Sequence, residues 1–540
     1  MRKKTLYLDL LLKDEIVEGH PESSFFSRKS RTALHEIIET LHSAAADRRI
    51  SGLLLTIESL DLGWARLSDM RRALLKFRLS GKPIYCLMQD AGNSEYYLAS
   101  ACSKVFMPPS AHLRLVGLSV EAFFLREVLD RFGIEAQLQS IGEYKSAAEM
   151  FTRTGMSAPA REQMEMLLDD SFDELCNALL DRGFSHEQIA EQINNGPYTA
   201  REAVERKLLD GICYQDEMPD KLKGELGEKT KPVTAGKYSK SDGFLKRLFT
   251  FRRPRIAIVN VVGHIDTGES RRNQAGRNVA GSDTIRAFLE HAQHSRRVRA
   301  VVLRVDSPGG SGMASDLIWR KVLLVGKKKP IVVSFGDVAA SGGYYISAPA
   351  SRIVAEPTSI TGSIGVLAGK FVAREVMNRL SVYRESIQRG AHAGYESLFK
   401  EFSQEESGQL HRQISEFYRE DFVKKVAEGR KMSEDAVDQA GRGRVWSGKR
   451  AKEQKLVDEI GGISEAIQQA RKLAGIPDSK KARVVHYYRH RRIWERLLPD
   501  FRSPIMAQVI SQPVLDAMGM LEELNKQRIL LLMPFSIRIR

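Results

Sequence analysis

The sequence predicts an α/β fold built twice over in one chain, and two observations predict it. Apolar, β-branched runs of strand length alternate with stretches of helical spacing, the pattern of helices packed on parallel sheets. The chain also resembles itself at a shift of 248 residues, which lays Ser51-Gly52-Leu53-Leu54-Leu55-Thr56-Ile57-Glu58-Ser59 on Arg299-Ala300-Val301-Val302-Leu303-Arg304-Val305-Asp306-Ser307. The same shift places Tyr96-Tyr97 on Tyr344-Tyr345, Gly142 on Gly390, Phe151 on Phe399, Tyr198 on Trp446 and Asp210 on Asp458, without a gap. A period of this length is a domain, far longer than a solenoid repeat. A length of 540 residues likewise exceeds what one hydrophobic core holds.

In chain order, the basic start Met1-Arg2-Lys3-Lys4 looks like the head of an export signal, but Asp9, Lys13 and Asp14 interrupt the apolar stretch behind it. Residues 5–12 therefore read as a first strand. The first copy spans 1–218. Residues 219–254, rich in Lys, Gly and Ser, read as a linker. Its end, from 243 to 253, alternates bulky apolar with basic residues, fit for a membrane surface or for covering a groove. In the second copy, 255–478, strands are expected near 256–262, 300–305, 331–335 and 352–355, with helices near 283–294, 313–325 and 373–380. The polar, Gly-rich stretch 263–282 is long for a loop and reads as a lid. The tail, 479–540, mixes aromatic with basic residues and has an apolar run at 529–533, suited to lipid or to another subunit.

Net charge is +15, with 83 Lys and Arg against 68 Asp and Glu. The excess is concentrated: residues 219–254 hold ten basic and four acidic residues, and 480–540 hold twelve and five. Such patches favour an anionic membrane surface over nucleic acid, since no zinc finger, RNP motif or heptad zipper is present. Solvated charge alone is the equal alternative. The four cysteines, Cys86, Cys102, Cys176 and Cys213, form no Cys-x-x-Cys, so no metal is expected and buried thiols are the default. No uncharged run reaches the ~18 residues of a membrane span.

The chemistry centres on Gly336-Asp337-Val338-Ala339-Ala340-Ser341-Gly342-Gly343-Tyr344-Tyr345. A β-branched run precedes it and helical spacing comes after, so Ser341 falls on a strand-to-helix turn, beside free amides and the positive end of a helix dipole. That suits a nucleophile. A glycine-rich turn that only packs helix against sheet fits these residues equally well. At the repeat shift Asn93 stands where Ser341 does, and Ala393 stands where Lys145 does, so each copy carries one half of a possible Ser/Lys pair. A serine needs a base, and lysine serves only when its amine is neutral, which burial can achieve. Ala147, Ala148, Met150 and Phe151 near Lys145 suit such a site. His264 and His392 are the histidines considered as alternative bases, and both read better as loop residues. Asp306-Ser307-Pro308-Gly309-Gly310-Ser311-Gly312 succeeds a strand and opens a helix, leaving glycine amides free to face a ligand. It lacks the spacing of a P-loop.

On the motifs Gly142-Glu143-Tyr144-Lys145-Ser146-Ala147, Ala339-Ala340-Ser341-Gly342-Gly343-Tyr344 and Ser359-Ile360-Thr361-Gly362-Ser363-Ile364-Gly365-Val366, the chain resembles the long, two-domain form of the signal peptide peptidase A (protease IV) family, membrane-associated bacterial serine proteases. The resemblance runs from about Thr5 to Gly475. It implies a tandem duplication of a crotonase/Clp-protease-like domain, with Ser341 as nucleophile, Lys145 as base, Ser363 holding the lysine amine, and Gly309 and Gly342 amides receiving the oxyanion. It further implies no cofactor, a homotetramer, apolar peptide substrates such as cleaved signal peptides, and peripheral attachment to the bacterial inner membrane, with a cytoplasmic location as the alternative. Residues 368–376 would serve that role as exposed apolar loops, and fit the core equally well. A crotonase-type acyl-CoA enzyme and a noncatalytic membrane scaffold are the rivals; neither needs Ser341 or Lys145.

Overall fold

The structure is a computed structural model that describes residues 5–13, 15–19, 31–239, 253–273, 277–477, 479–480, 482–488, 529–533 and 539. Each copy folds around a parallel sheet with the same strand order. In the first it runs Gly211–Ile212, Lys104–Met107, Ile84–Met88, Ile50–Ile57, Leu6–Leu12, Lys231–Thr234. In the second it runs Glu459–Ile460, Arg352–Ala355, Ile331–Ala340, Val298–Ser307, Arg255–Val262, Arg483–Tyr487. Side-chain bonds repeat with the strands. Tyr96 Oη donates to the Leu208 carbonyl at 3.0 Å, and Tyr344 Oη to the Leu456 carbonyl at 2.9 Å. The Val105 amide bonds Asp210 as the Ile353 amide bonds Asp458, both at 2.7 Å. Central strands such as Ile50–Ile57 and Val298–Ser307 are almost wholly buried, which explains their continuous apolar runs.

The sixth strand of each sheet revises the expected boundaries. Residues 218–239 contain the helix Met218–Leu226 and the strand Lys231–Thr234, which pairs in parallel with Leu6–Leu12. The tail begins with its counterpart, Arg483–Tyr487, on Arg255–Val262. Both strands carry basic or polar residues at their ends and lie at sheet edges, where only one side is paired. The 243–253 amphipathic stretch lies outside the described residues except for Arg253, as does most of the tail.

A third sheet joins the copies. Its order is Arg271–Arg272, Asn278–Gly281, His264–Asp266, Gly309–Ser311, Leu530–Leu532, Val366–Val372, Glu135–Ile141. The stretch read as a lid thus supplies three short strands. Ala368, at the start of the stretch that could have been an exposed loop, is buried within Val366–Val372. The helix Trp64–Leu79 of the first copy packs on the second copy's sheet. That seam is ionic and buried: Arg304 pairs with Glu18 at 2.5 Å, Arg72 with Glu356 at 2.6 Å, and Arg66 with Asp337.

Candidate active site

Ser341 sits between the strand Ile331–Ala340 and the helix Gly342–Ser347. Its backbone has φ 54° and ψ −112°, a conformation that L residues seldom adopt, and its amide donates to the Gly362 carbonyl at 2.8 Å. Such strain is stored where a side chain must project from a sharp turn. Ser363, at φ 50°, occupies a second tight turn after the strand Ile360–Gly362.

Lys145 reaches this point from the other copy. The strand Glu135–Ile141 pairs antiparallel with Val366–Val372, setting Ile141 against Val366. Gly142, at φ 106°, then turns the chain so that Lys145 lies beside Ser363. The Arg442–Arg444 loop fits between: Tyr144 N donates to Arg442 O at 2.9 Å, Gly443 N to Ile364 O at 2.7 Å, and Ser363 N to Arg444 O at 2.7 Å. Gln163, fully buried, ties the lysine loop to Val445 through bonds to Ser146 Oγ at 2.9 Å and from Val445 N at 3.2 Å. Nothing in the linear pattern singles out Gly443 or Gln163, because their partners lie about 280–300 residues away.

Lys145 Nζ lies 2.8 Å from Ser341 Oγ, 3.0 Å from Ser363 Oγ and 3.1 Å from the Ser363 carbonyl oxygen. The lysine is 2 % exposed and both serines are fully buried. Burial holds the amine well below the ordinary lysine range, because little water remains to solvate a charge. His392 faces Glu406 at 3.4 Å, and His264 belongs to the strand His264–Asp266, so it is not the loop residue expected.

The two glycine turns meet beside the serine. A side-chain carbon on Gly342 would stand 3.1 Å from Gly309 Cα and 3.2 Å from Gly310 N. The Gly309 amide itself donates to Ser307 Oγ at 3.2 Å. In the first copy Asn93 fills the nucleophile's place and is tied to backbone, donating to Gly117 O at 2.8 Å and accepting from Val116 N at 3.2 Å.

The description "Peptidase family S49" matches the sequence twice, over residues 76–229 and 324–477. The chain belongs to peptidase family S49. As a member of that family it is a serine peptidase made of two S49 domains in tandem. The chain is 36% identical over 485 residues to the chloroplastic serine protease SPPA of Arabidopsis thaliana, covering 89% of this chain and 71% of that protein. It is 30% identical over 469 residues to Protease 4 of Salmonella typhi, covering 83% and 73%. Among solved structures, ClpP1 from Listeria monocytogenes overlaps 41% of this chain and 98% of its own, at 17% identity and a TM-score of 0.23. The S49 match sets aside the acyl-CoA and scaffold readings.

Proposed function

We propose that this S49 peptidase works through a Ser341/Lys145 dyad, and the observation that carries the reading is the 2.8 Å approach of the two side chains inside a water-poor site. A neutral amine has two N–H groups and one lone pair. The two oxygens of Ser363 match the two donors, and the lone pair is left for the Ser341 hydroxyl. Lys145 takes that proton as Ser341 attacks a peptide carbonyl. Amides of Gly342 and of the Gly309–Gly310 turn receive the oxyanion, Lys145 then protonates the leaving amine, and water releases the acyl-enzyme.

The substrates in this reading are apolar peptides, such as signal-peptide remnants, met at a membrane surface. No helix among the described residues is long and apolar enough to cross a membrane; the attachment in this reading is peripheral. Exposed apolar side chains, Phe132 at 65 %, Leu380 at 65 %, Tyr383 at 85 % and Ile387 at 91 %, support self-association into the expected tetramer, because such surface is seldom left to water. The deciding experiment is labelling with a serine-reactive acylating inhibitor: an adduct on Ser341 that disappears in Lys145→Ala supports the dyad, and an undiminished adduct in that variant refutes it.

A further inference from the structure

The strand Leu530–Leu532 lies between Gly309–Ser311 and Val366–Val372, antiparallel to both. Gly309 pairs with Leu532, Gly310 with Leu531 and Ser311 with Leu530, while Leu367 pairs with Leu530 on the other side. Bonds at both ends fix the register, from Met533 N to Pro308 O at 2.9 Å and from Gly312 N to Ile529 O at 3.1 Å. Adjacent strands sit about 4.8 Å apart. Remove this one strand and the glycine turn and Val366–Val372 bound a slot one strand wide, with a three-residue ladder on the glycine wall and one paired residue, Leu367, on the other.

That slot opens on the catalytic groups. A side-chain carbon on Gly309 would stand 1.9 Å from the Leu531 carbonyl oxygen and 2.8 Å from Gly342 N, so a peptide carbonyl of the tail and the amide after the nucleophile flank one point. Leu530 and Leu532 enter an apolar cluster with Leu129, Met150, Phe151, Leu367 and Phe371, and Ala147 of that cluster lies two residues from Lys145. Leu531 and Met533 join the main core of the second copy. Ile539 extends the contact, its carbonyl accepting from Trp64 Nε1 at 3.2 Å.

An extended peptide held by a ladder on one side, a paired residue on the other and alternate apolar side chains is bound as sheet-adding peptide ligands are bound. We infer that residues 529–533 occupy the substrate groove of this chain and restrain its peptidase activity in cis. The inference rests on the Ser341/Lys145 reading for the position of the groove. Leu129, Met150, Phe151, Leu367 and Phe371 are then the walls that select apolar substrate side chains. A substrate must displace the tail, so its apparent affinity is lowered by the fraction of chains whose groove is open.

The test compares the full chain with a chain ending at residue 528, on a fluorogenic Leu-rich peptide, each with and without Ser341→Ala. If the groove is filled about nine-tenths of the time, truncation raises kcat/KM about tenfold, mainly through KM. The full-length double variant Leu530→Asp/Leu532→Asp should do the same, since buried carboxylates cannot hold the strand in place. A synthetic Ile-Leu-Leu-Leu-Met peptide should inhibit the truncated chain competitively. Unchanged or lower Ser341-dependent rates in both variants, or their failure to fold, would make the strand a structural part of the sheet and overturn the inference. Ser341-dependent loss of the tail by intact mass would overturn it too, making the segment a substrate. Activity that survives Ser341→Ala would instead count against the dyad.

Discussion

Gly443 packs its backbone directly against Lys145: a side-chain carbon at Gly443 would stand 2.4 Å from the Lys145 amide nitrogen and 2.6 Å from its Cα, at φ +80°. The second copy thereby sets the height at which the first copy's lysine enters the site. Gly443→Ala should push the lysine loop outward, and a misplacement of about 1 Å costs about 100-fold in kcat, with KM little changed. Gly81→Ala is the control. It shares the backbone strain at φ +80° but meets nothing within 4 Å, so steady-state kinetics should not distinguish it from the parent.

Ser341→Ala and Lys145→Ala should each abolish peptide hydrolysis, by about 10⁴-fold or more, and the double variant should lose little beyond either single one, because groups that act as a unit are not additive. Circular dichroism and initial rates on the same preparations check this. Full activity in either single variant would end the dyad reading.

Ser363→Ala removes one of the two oxygens that face the Lys145 amine at 3.0 and 3.1 Å. The amine then has a second rotamer open to it, and kcat should fall about 10- to 100-fold, within the range of positioned proton transfer. Ser363→Gly, which suits the positive φ but also lacks the hydroxyl, should lose as much as Ser363→Ala, a result that a purely structural effect would not give.

In the proposed dyad the base form of Lys145 is the active one, and burial lowers its pKa. Activity should therefore climb as pH rises through that lowered pKa, with a midpoint well under the ordinary lysine value near ~10.4. Stability follows the same sign. Above the folded pKa the unfolded chain binds the extra proton, so folding stability at Lys145 rises with pH until the unfolded lysine also loses its charge. Lys145→Met should flatten the melting temperature between pH 7 and 10, read by calorimetry.

The seam between copies offers a separate test. Arg66 pairs with Asp337, and its attraction also acts on Asp306. Arg66→Met would leave the partly buried Asp337 without its ion-pair partner, and an unsatisfied group of this kind costs about 1–3 kcal/mol. Burial also pushes Asp306 up to about 6 and Glu356 up to about 7. A raised carboxyl binds more protons folded than unfolded between its ordinary range and the raised value, so these groups destabilise the fold as pH rises through that window. In a Lys145→Met background, which removes the opposing contribution of the lysine, chemical denaturation at pH 5.5 and 8 should show greater stability at the lower pH. Glu18 and Glu465 are lowered, and they reverse the trend in stronger acid.

Much of the architecture was legible along the chain because it is local or repeated. Strands at 300–305 and 331–335 are visible as β-branched runs, the Ser341 turn as small residues between strand and helix, and the duplication as a constant shift. The division of the dyad followed from Asn93 and Ala393 standing in the partners' places. The sixth strands were not legible, since Lys231–Thr234 and Arg483–Tyr487 are edge strands whose pairing, not their composition, makes them strands.

By itself the sequence determined that two copies of one α/β domain exist and that the serine and the lysine belong to different ones. Only the tertiary structure decided that the two meet at 2.8 Å out of water, that Gly443 and Gln163 hold the lysine loop, and that a five-residue piece of the tail lies across the glycine turn. Each of these depends on contacts between segments about 200–400 residues apart in the chain. Periodicity and spacing report what neighbouring residues do to one another; the burial that lowers the pKa of Lys145 is created only when distant surfaces close over it.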